Sequence, residues 1–297
     1  MALIINHNLM AMTAARNLSS AYGSLSTSVN RLSSGLRITT AADDAAGLAI
    51  RELMRADIAS LNQGVRNAND AISMIQTADG ALQVIDEKLI RMKELAEQAA
   101  TGTYTSDQRL IIDSEYQQMA SEITRIANAT DFNGIYLLNG NLSSDTHVGS
   151  GLNSTGKLKV HFGSGNDSAE DYYYIKIGNS TASALGVGNA AAPTSDGYSI
   201  STQQAAQKAL DALNKAITSK DNIRANLGAL QNRLENTITN LQIQAENLQA
   251  AESRISDVDV ATEMTNFVRN QILTQSAVAM LSQANTLPQM ALQLMQG

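Results

Sequence analysis

The sequence predicts a mainly α protein: a long antiparallel, coiled-coil-like helical bundle formed by both chain ends, with a small β-hairpin segment in the middle. Three observations carry this. Apolar residues recur at four-three spacing near both termini, the rhythm of a helix packed along a neighbour. Leu227, Leu234, Leu241, Leu248 and Ile255 repeat at intervals of seven. Only residues 141–200 turn to Gly, Ser, Asn and Thr with short strand-like runs. Composition agrees: aromatics are 4% of 297 residues, Trp is absent and Pro occurs twice. Aromatic side chains fill thick cores, so their scarcity beside abundant Ala and Leu favours thin cores between helices lying side by side.

Element by element, residues 3–32 carry a helical pattern whose seam reads Leu18, Tyr22, Leu25, Val29 and Leu32, and Gly35 stops it. After Ile38-Thr39-Thr40, Asp43 and Asp44 precede a second pattern at Met54, Ile58, Leu61, Val65, Ala68, Ile72 and Ile75. It continues past Gly80 through Leu82, Ile85, Leu89, Met92 and Ala96. That is about 58 residues of helix, roughly 85 Å at 1.5 Å per residue, and a helix so long needs a partner for its stripe. Small polar residues at 101–108 form a turn, with Ser106 or Asp107 suited to cap a third helix with the stripe Ile112, Tyr116, Met119, Ile123 and Ile126. Asn133-Gly134 is a turn entering a strand over Ile135–Leu138, and Lys157–Phe162 and Tyr172–Ile177 are further strand candidates. From Ser201 the helical pattern returns with the leucine heptads. After Ser256-Asp257-Val258-Asp259 a last helix carries Leu273, Ala277, Met280, Ala284, Leu287, Ala291 and Leu294. The alanines leave one side of a terminal helix pair shallow, so its remaining apolar surface calls for other copies of the chain.

The same inventory excludes much. A net charge of −7 without any basic run argues against a nucleic-acid binder. With no cysteine there is no disulfide or thiol chemistry. The start MALIINHNLM has no basic residue ahead of its apolar ones and does not read as an ordinary secretory signal. No stretch reaches the roughly 18 apolar residues that cross a membrane. Asp43 and Asp44 could suggest an ion site, but neighbouring positions on a helix point about 100° apart and no third ligand stands three or four residues on. They read as the start of the long helix, meeting its positive end. His7, His147 and His161 lie far apart without acids at a telling spacing, so neither a zinc site nor catalysis is expected, and no cofactor.

Several stretches together resemble bacterial flagellin: IINHNLMAMTAARNL, RLSSGLRITTAADDAAGLAI, TDFNGIYLLNG, LGALQNRLENTITNL and AESRISDVDVATEMTNFVRNQILTQSAVAMLSQANTLPQMALQL, in this order and at both ends. The resemblance implies an inner-core helical domain from residues 1–43 and 256–297, a tube-forming helical domain from 44–140 and 201–255, and a small β segment of the tube domain at 141–200, with no large outer domain. It implies a structural, non-enzymatic subunit that polymerises with itself into the flagellar filament for motility, is secreted unfolded and is added at the distal tip. The partners it implies are an export chaperone and the cap and hook-filament junction proteins. Gly35, Asp43 and Asp44 resemble the spoke joining inner and outer tubes. It also implies recognition by an innate immune receptor of a host, through Arg91, Leu95, Gln98 and Glu115, while Lys93 and Glu97 depart from the commonest residues of that stretch. A junction protein shares the helical ends but matches the terminal motifs less closely. A hydrolase on the same scaffold needs a catalytic insertion that residues 141–200 do not hold.

Overall fold

A computed structural model describes residues 8–148, 155–168, 170–188 and 198–296. The side chains of Thr155, of residues 287–289 and of residues 291–296 lie outside the description. The elements in order are α1 (Leu9–Ser34), α2 (Ala45–Ala100), α3 (Ser106–Ala129), β1 (Asp131–Phe132), β2 (Ile135–Tyr136), β3 (His147–Val148), β4 (Thr155–Gly156), β5 (Leu158–His161), β6 (Tyr172–Ile175), α4 (Ala182–Leu185), α5 (Gln203–Ser256) and α6 (Val260–Gln296). The chain divides into two compact units, one of residues 1–58 and 246–297 and one of residues 59–245. The division falls inside α2 and α5.

In the terminal unit, α1 and α6 run antiparallel, with Asn8 donating to the Ala284 carbonyl at one end (2.8 Å) and Arg31 facing Glu263 at the other (3.8 Å). Gly35 ends α1 as read from the sequence. It takes the left-handed conformation at φ 71° that glycine adopts without strain, and its N–H closes on the Arg31 carbonyl.

In the central unit, α2, α3 and α5 bury a core of small and aliphatic side chains, among them Leu82, Leu89, Ile123, Leu213, Leu227 and Leu234. Tyr116 is fully buried in it, and burial pushes its phenol upward in pKa. The cap of α3 corrects the expectation of Ser106 or Asp107. Thr105 fills that role, its hydroxyl accepting from the Gln108 N–H (3.4 Å) while the Gln108 side chain accepts from the Thr105 N–H (3.0 Å). Asn133 and Gly134 both sit at positive φ, 52° and 80°, and make the two-residue turn of the β1–β2 hairpin. The strand ends at Tyr136; the Leu137 N–H still donates to the Thr130 carbonyl (3.1 Å), and the side chains of Leu137 and Leu138 enter the core. The expected strands near 157–162 and 172–177 form the antiparallel β5–β6 ribbon, with Leu158 opposite Ile175 and His161 opposite Tyr172. The ribbon is seated on α2 where Asn67 donates to the His161 carbonyl (2.8 Å), and at Gly64 any Cβ would overlap the Phe162 carbonyl.

Within the central unit, two ion pairs among the described residues tie α2 to α5. Lys220, 1% exposed, reaches Asp86 at 2.5 Å and also Asp221 at 2.7 Å; Arg224 grips Asp79 at 2.7 Å. Asp79 and Asp86 are seven residues apart, so they stand on the same stripe of α2.

Candidate functional site

The terminal helix pair buries small side chains. The face of α1 turned inward is Ala11, Ala14, Leu18, Ala21, Leu25, Ser28 and Leu32, an unbroken four-three series. Leu18, Leu25 and Leu32 therefore face inward as expected. Tyr22 and Val29 do not: Tyr22 is 55% exposed, and Ala21 and Ser28 take the inward positions instead. On α6 the inward series includes Asn270, Thr274, Ala277, Leu281 and Ala284. Ala277 and Ala284 stand where expected, whereas Leu273 and Met280 are exposed, Met280 by 65%. Leu287, Ala291 and Leu294 lie outside the described side chains. The physical reason for the correction is that apolar residues also stand next to the inward positions, so two frames that share Leu18, Leu25 and Leu32 on α1, and Ala277 and Ala284 on α6, both read as seams. The frame turned inward sets Ala21, Ser28 and Thr274 between leucines and alanines.

The large side chains are consequently left outward. Leu9, Met10, Met12, Tyr22 and Val29 on α1, and Val260, Met264, Val268, Ile272 and Met280 among others on α6, are exposed. α6, apolar on nearly every side, belongs in the interior of something larger. Between the two helices runs an open groove of about 740 Å³, lined by Leu9, Met10, Ala14, Leu273, Met280 and Ala284 among others.

The joint that follows α1 is built from both halves of the terminal unit. The Arg37 N–H donates to the Ser256 carbonyl (2.6 Å) and the Val258 N–H to the Gly35 carbonyl (3.0 Å), so Leu36 and Asp257 pair as an antiparallel bridge. The Arg37 guanidinium donates to the Ile255 carbonyl (2.6 Å). Asp44 is the true cap of α2, accepting from the Gly47 N–H at 2.9 Å. Asp43, expected to share that role, serves the loop instead. One of its oxygens accepts from the N–H and hydroxyl groups of both Thr39 and Thr40 at 3.0–3.2 Å. Those donors, the Thr40 N–H foremost, hold its carboxyl down at about 2. Arg31 stands 3.9 Å from Asp43 and 3.8 Å from Glu263. Buried Arg51 donates to the Ile38 carbonyl at 2.8 Å. A Cβ at Gly47 would collide with the Asp44 carboxylate and Ile38. Arg37, Arg51, Gly47 and Asp257 were not legible as joint residues; the one signal was their clustering beside the motifs RLSSGLRITT and SDVD.

The heptad residues divide by unit. Leu227, Leu234 and Leu241 are buried in the central unit, and Leu248 and Ile255 are half-buried in the terminal unit. Of the residues expected to meet a receptor, Arg91 lies exposed with its guanidinium on Glu115 (2.8 Å) and Glu94 (3.0 Å), which raise its pKa further, Glu115 first. Gln98 is exposed and donates to the Tyr104 hydroxyl at 3.0 Å. Leu95 corrects the expectation: at 1% exposure it is a core residue of α2, turned away from that surface. Among the described residues no three His, Asp or Glu gather as metal ligands, and no helix is long and apolar enough to cross a membrane.

Long paired helices from both chain ends, a thin core and an apolar terminal pair left open define a structural helical protein with unfinished surfaces. The family model for the bacterial flagellin N-terminal helical region matches residues 5–143, and that for the C-terminal helical region matches residues 210–295. The chain belongs to the flagellin family, whose members are structural filament proteins and not enzymes. A flagellar filament 33 kDa core protein of Treponema phagedenis is 43% identical over 99% of this chain and 100% of its own. A flagellin of Halalkalibacterium halodurans is also 43% identical, with the same coverage of both chains. A solved structure described as a flagellar hook-associated protein of Vibrio parahaemolyticus shares the fold alone, at 15% identity and a TM-score of 0.54 over 72% of this chain and 100% of that one.

Proposed function

We propose that this chain polymerises with itself into an extracellular flagellar filament that serves motility. The observation that carries the reading is the outward apolar surface of the α1–α6 pair, which a single chain leaves in water and which neighbouring copies would cover. In this reading residues 1–43 and 256–297 form the filament's inner core, residues 44–140 and 201–255 its surrounding tube, and residues 141–200 a small β portion of that tube. Gly35, Asp43 and Asp44, with the Leu36–Asp257 bridge, form the spoke between the two layers.

Family membership supports the further steps. The chain is exported unfolded, its C-terminal segment held by an export chaperone. It is added at the distal tip beneath the cap, and the filament begins on hook-filament junction proteins. A host innate immune receptor recognises the exposed surface around Arg91, Gln98 and Glu115, with Leu95 supporting it from beneath. Electron microscopy of purified protein after heating and cooling tests the central claim. Tubular filaments are expected; a stable monomer under all conditions overturns it. In a receptor reporter assay, Arg91→Ala should weaken the signal, and an unchanged response sinks the receptor reading.

A further inference from the structure

The β5–β6 ribbon turns Val160 and Ile175 into the core and, by the two-residue period of a strand, sends Lys159, His161, Tyr172 and Tyr174 outward. There the rings form a row. His161 and Tyr172 lie 5.9 Å apart, Tyr172 and Tyr174 5.4 Å, and Tyr174 and His147 5.7 Å. Lysines border it: Lys159 sits 3.6 Å over the Tyr172 ring, Lys157 4.8 Å over the Tyr174 ring, and exposed Lys176 follows two residues after Tyr174. Lys176 pairs with Asp145 at 2.6 Å, whose carboxyl Lys176 first and Lys157 from further off hold down in pKa, and Lys159 donates to the Asn166 side chain (3.3 Å), so one carboxylate stands against three lysines among these contacts. A basic, ring-lined face on a chain of net charge −7 selects an anionic partner.

We propose that this face, built by Lys157, Lys159, Tyr172, Tyr174 and Lys176, is a binding surface for an acidic polysaccharide. Uronate carboxylates pair with the ammonium groups, and the flat C–H faces of the sugar rings rest on the tyrosines. An exposed cation–π contact is weaker than a charge-assisted hydrogen bond, so a lysine that swings to a carboxylate both gains energy and uncovers its ring. Nucleic acid fits less well. Tyr172 and Tyr174 stand edge to face at 81°, not as parallel platforms for successive bases, and three lysines neutralise few phosphates. The extracellular setting proposed above adds to this choice, and the test is made on the monomer so that failure to polymerise does not enter it.

The full chain is passed over immobilised polygalacturonate, neutral dextran and single-stranded oligothymidylate at low salt. The parent should bind polygalacturonate and not dextran. The double variant Lys157→Gln, Lys159→Gln should bind about ten-fold or more weakly, the loss of two charge-assisted contacts. Lys215→Gln, an exposed lysine on α5, should stay within about twofold of the parent. Thermal unfolding of the double variant should stay within a few degrees of the parent's, since half-buried Lys157 and Lys159 give up only their ring contacts, about 0.5–1 kcal/mol each. No retention of the parent on polygalacturonate, equal retention on dextran, tighter binding to oligothymidylate, or an equal loss in Lys215→Gln each overturns the proposal.

Discussion

Replacing Met280 with Gln tests whether the exposed side chains of the terminal pair are assembly contacts. The side chain is 65% exposed and lines the groove between α1 and α6, so the single chain loses little when it becomes polar. Full burial of a Met side chain is worth about 1.5–3 kcal/mol, and covering the two-thirds that stands in water is worth about 1–2 kcal/mol. At about 1.4 kcal/mol per factor of ten, the concentration at which polymer first forms should rise about 5- to 30-fold. Ultracentrifugation of polymer against total protein gives this threshold directly, and circular dichroism melting of the monomer should match the parent. A threshold within about twofold of the parent's, or a marked loss of monomer stability, would refute the reasoning. Leu95→Ala supplies the contrast. A fully buried leucine lost from α2 should cost about 2–5 kcal/mol of folding stability, so any weaker receptor signal from that variant reports the fold as well as the surface.

Other perturbations test individual devices. Lys220→Ala leaves Asp86 without its buried partner and should cost about 3 kcal/mol, the lower end of the range for broken buried pairs because Asp86 keeps some solvent; thermal unfolding should fall by roughly 6–12 °C. A shift under about 2 °C would mean that water reaches the ammonium. Gly64→Ala drives a methyl into the Phe162 carbonyl and should lift the β5–β6 ribbon from α2 at a cost of about 1–3 kcal/mol, seen as faster amide exchange around His161; unchanged exchange refutes the close approach. Asp43 is held at about 2 against an ordinary 3.8, so its carboxylate contributes stability above pH 3.8 that is lost as pH falls through about 2. Asp43→Asn should flatten acid unfolding of the terminal unit across that window, and a curve parallel to the parent's counts against the loop contacts. Gly35→Pro should impair filament assembly or supercoiling, since proline cannot adopt φ 71°; normal swimming filaments from the variant refute the joint's role.

Much of the fold was legible because it is encoded locally. Gly35 stops α1, Asn133-Gly134 makes its hairpin, and the alternation near Lys159 and Tyr173 gives the β5–β6 ribbon. Thr105 rather than Ser106 as the α3 cap is a one-residue error of the kind that neighbouring hydroxyls invite, because each could bond the same free N–H groups. Asp43 misled for a similar reason. The carboxylate can serve a helix start or a threonine loop, and only the path of the Ile38-Thr39-Thr40 backbone decides. Leu95 lay in a stretch known by resemblance as a surface, yet the burial of Met92, Leu95 and Ala96 together shows which side of α2 they share.

By itself the sequence determined where helices run and that their faces are apolar, since periodicity follows from the 3.6-residue turn of each segment alone. Tertiary structure decided which of two adjacent apolar frames turns inward. It put Ala21, Ser28 and Thr274 inside and left Tyr22, Val29, Leu273 and Met280 in water. It also joined Lys220 to Asp86 across 134 residues and Gly35 to Val258 across the joint. Those choices depend on what the partner offers, and no single helix carries that information in its own spacing.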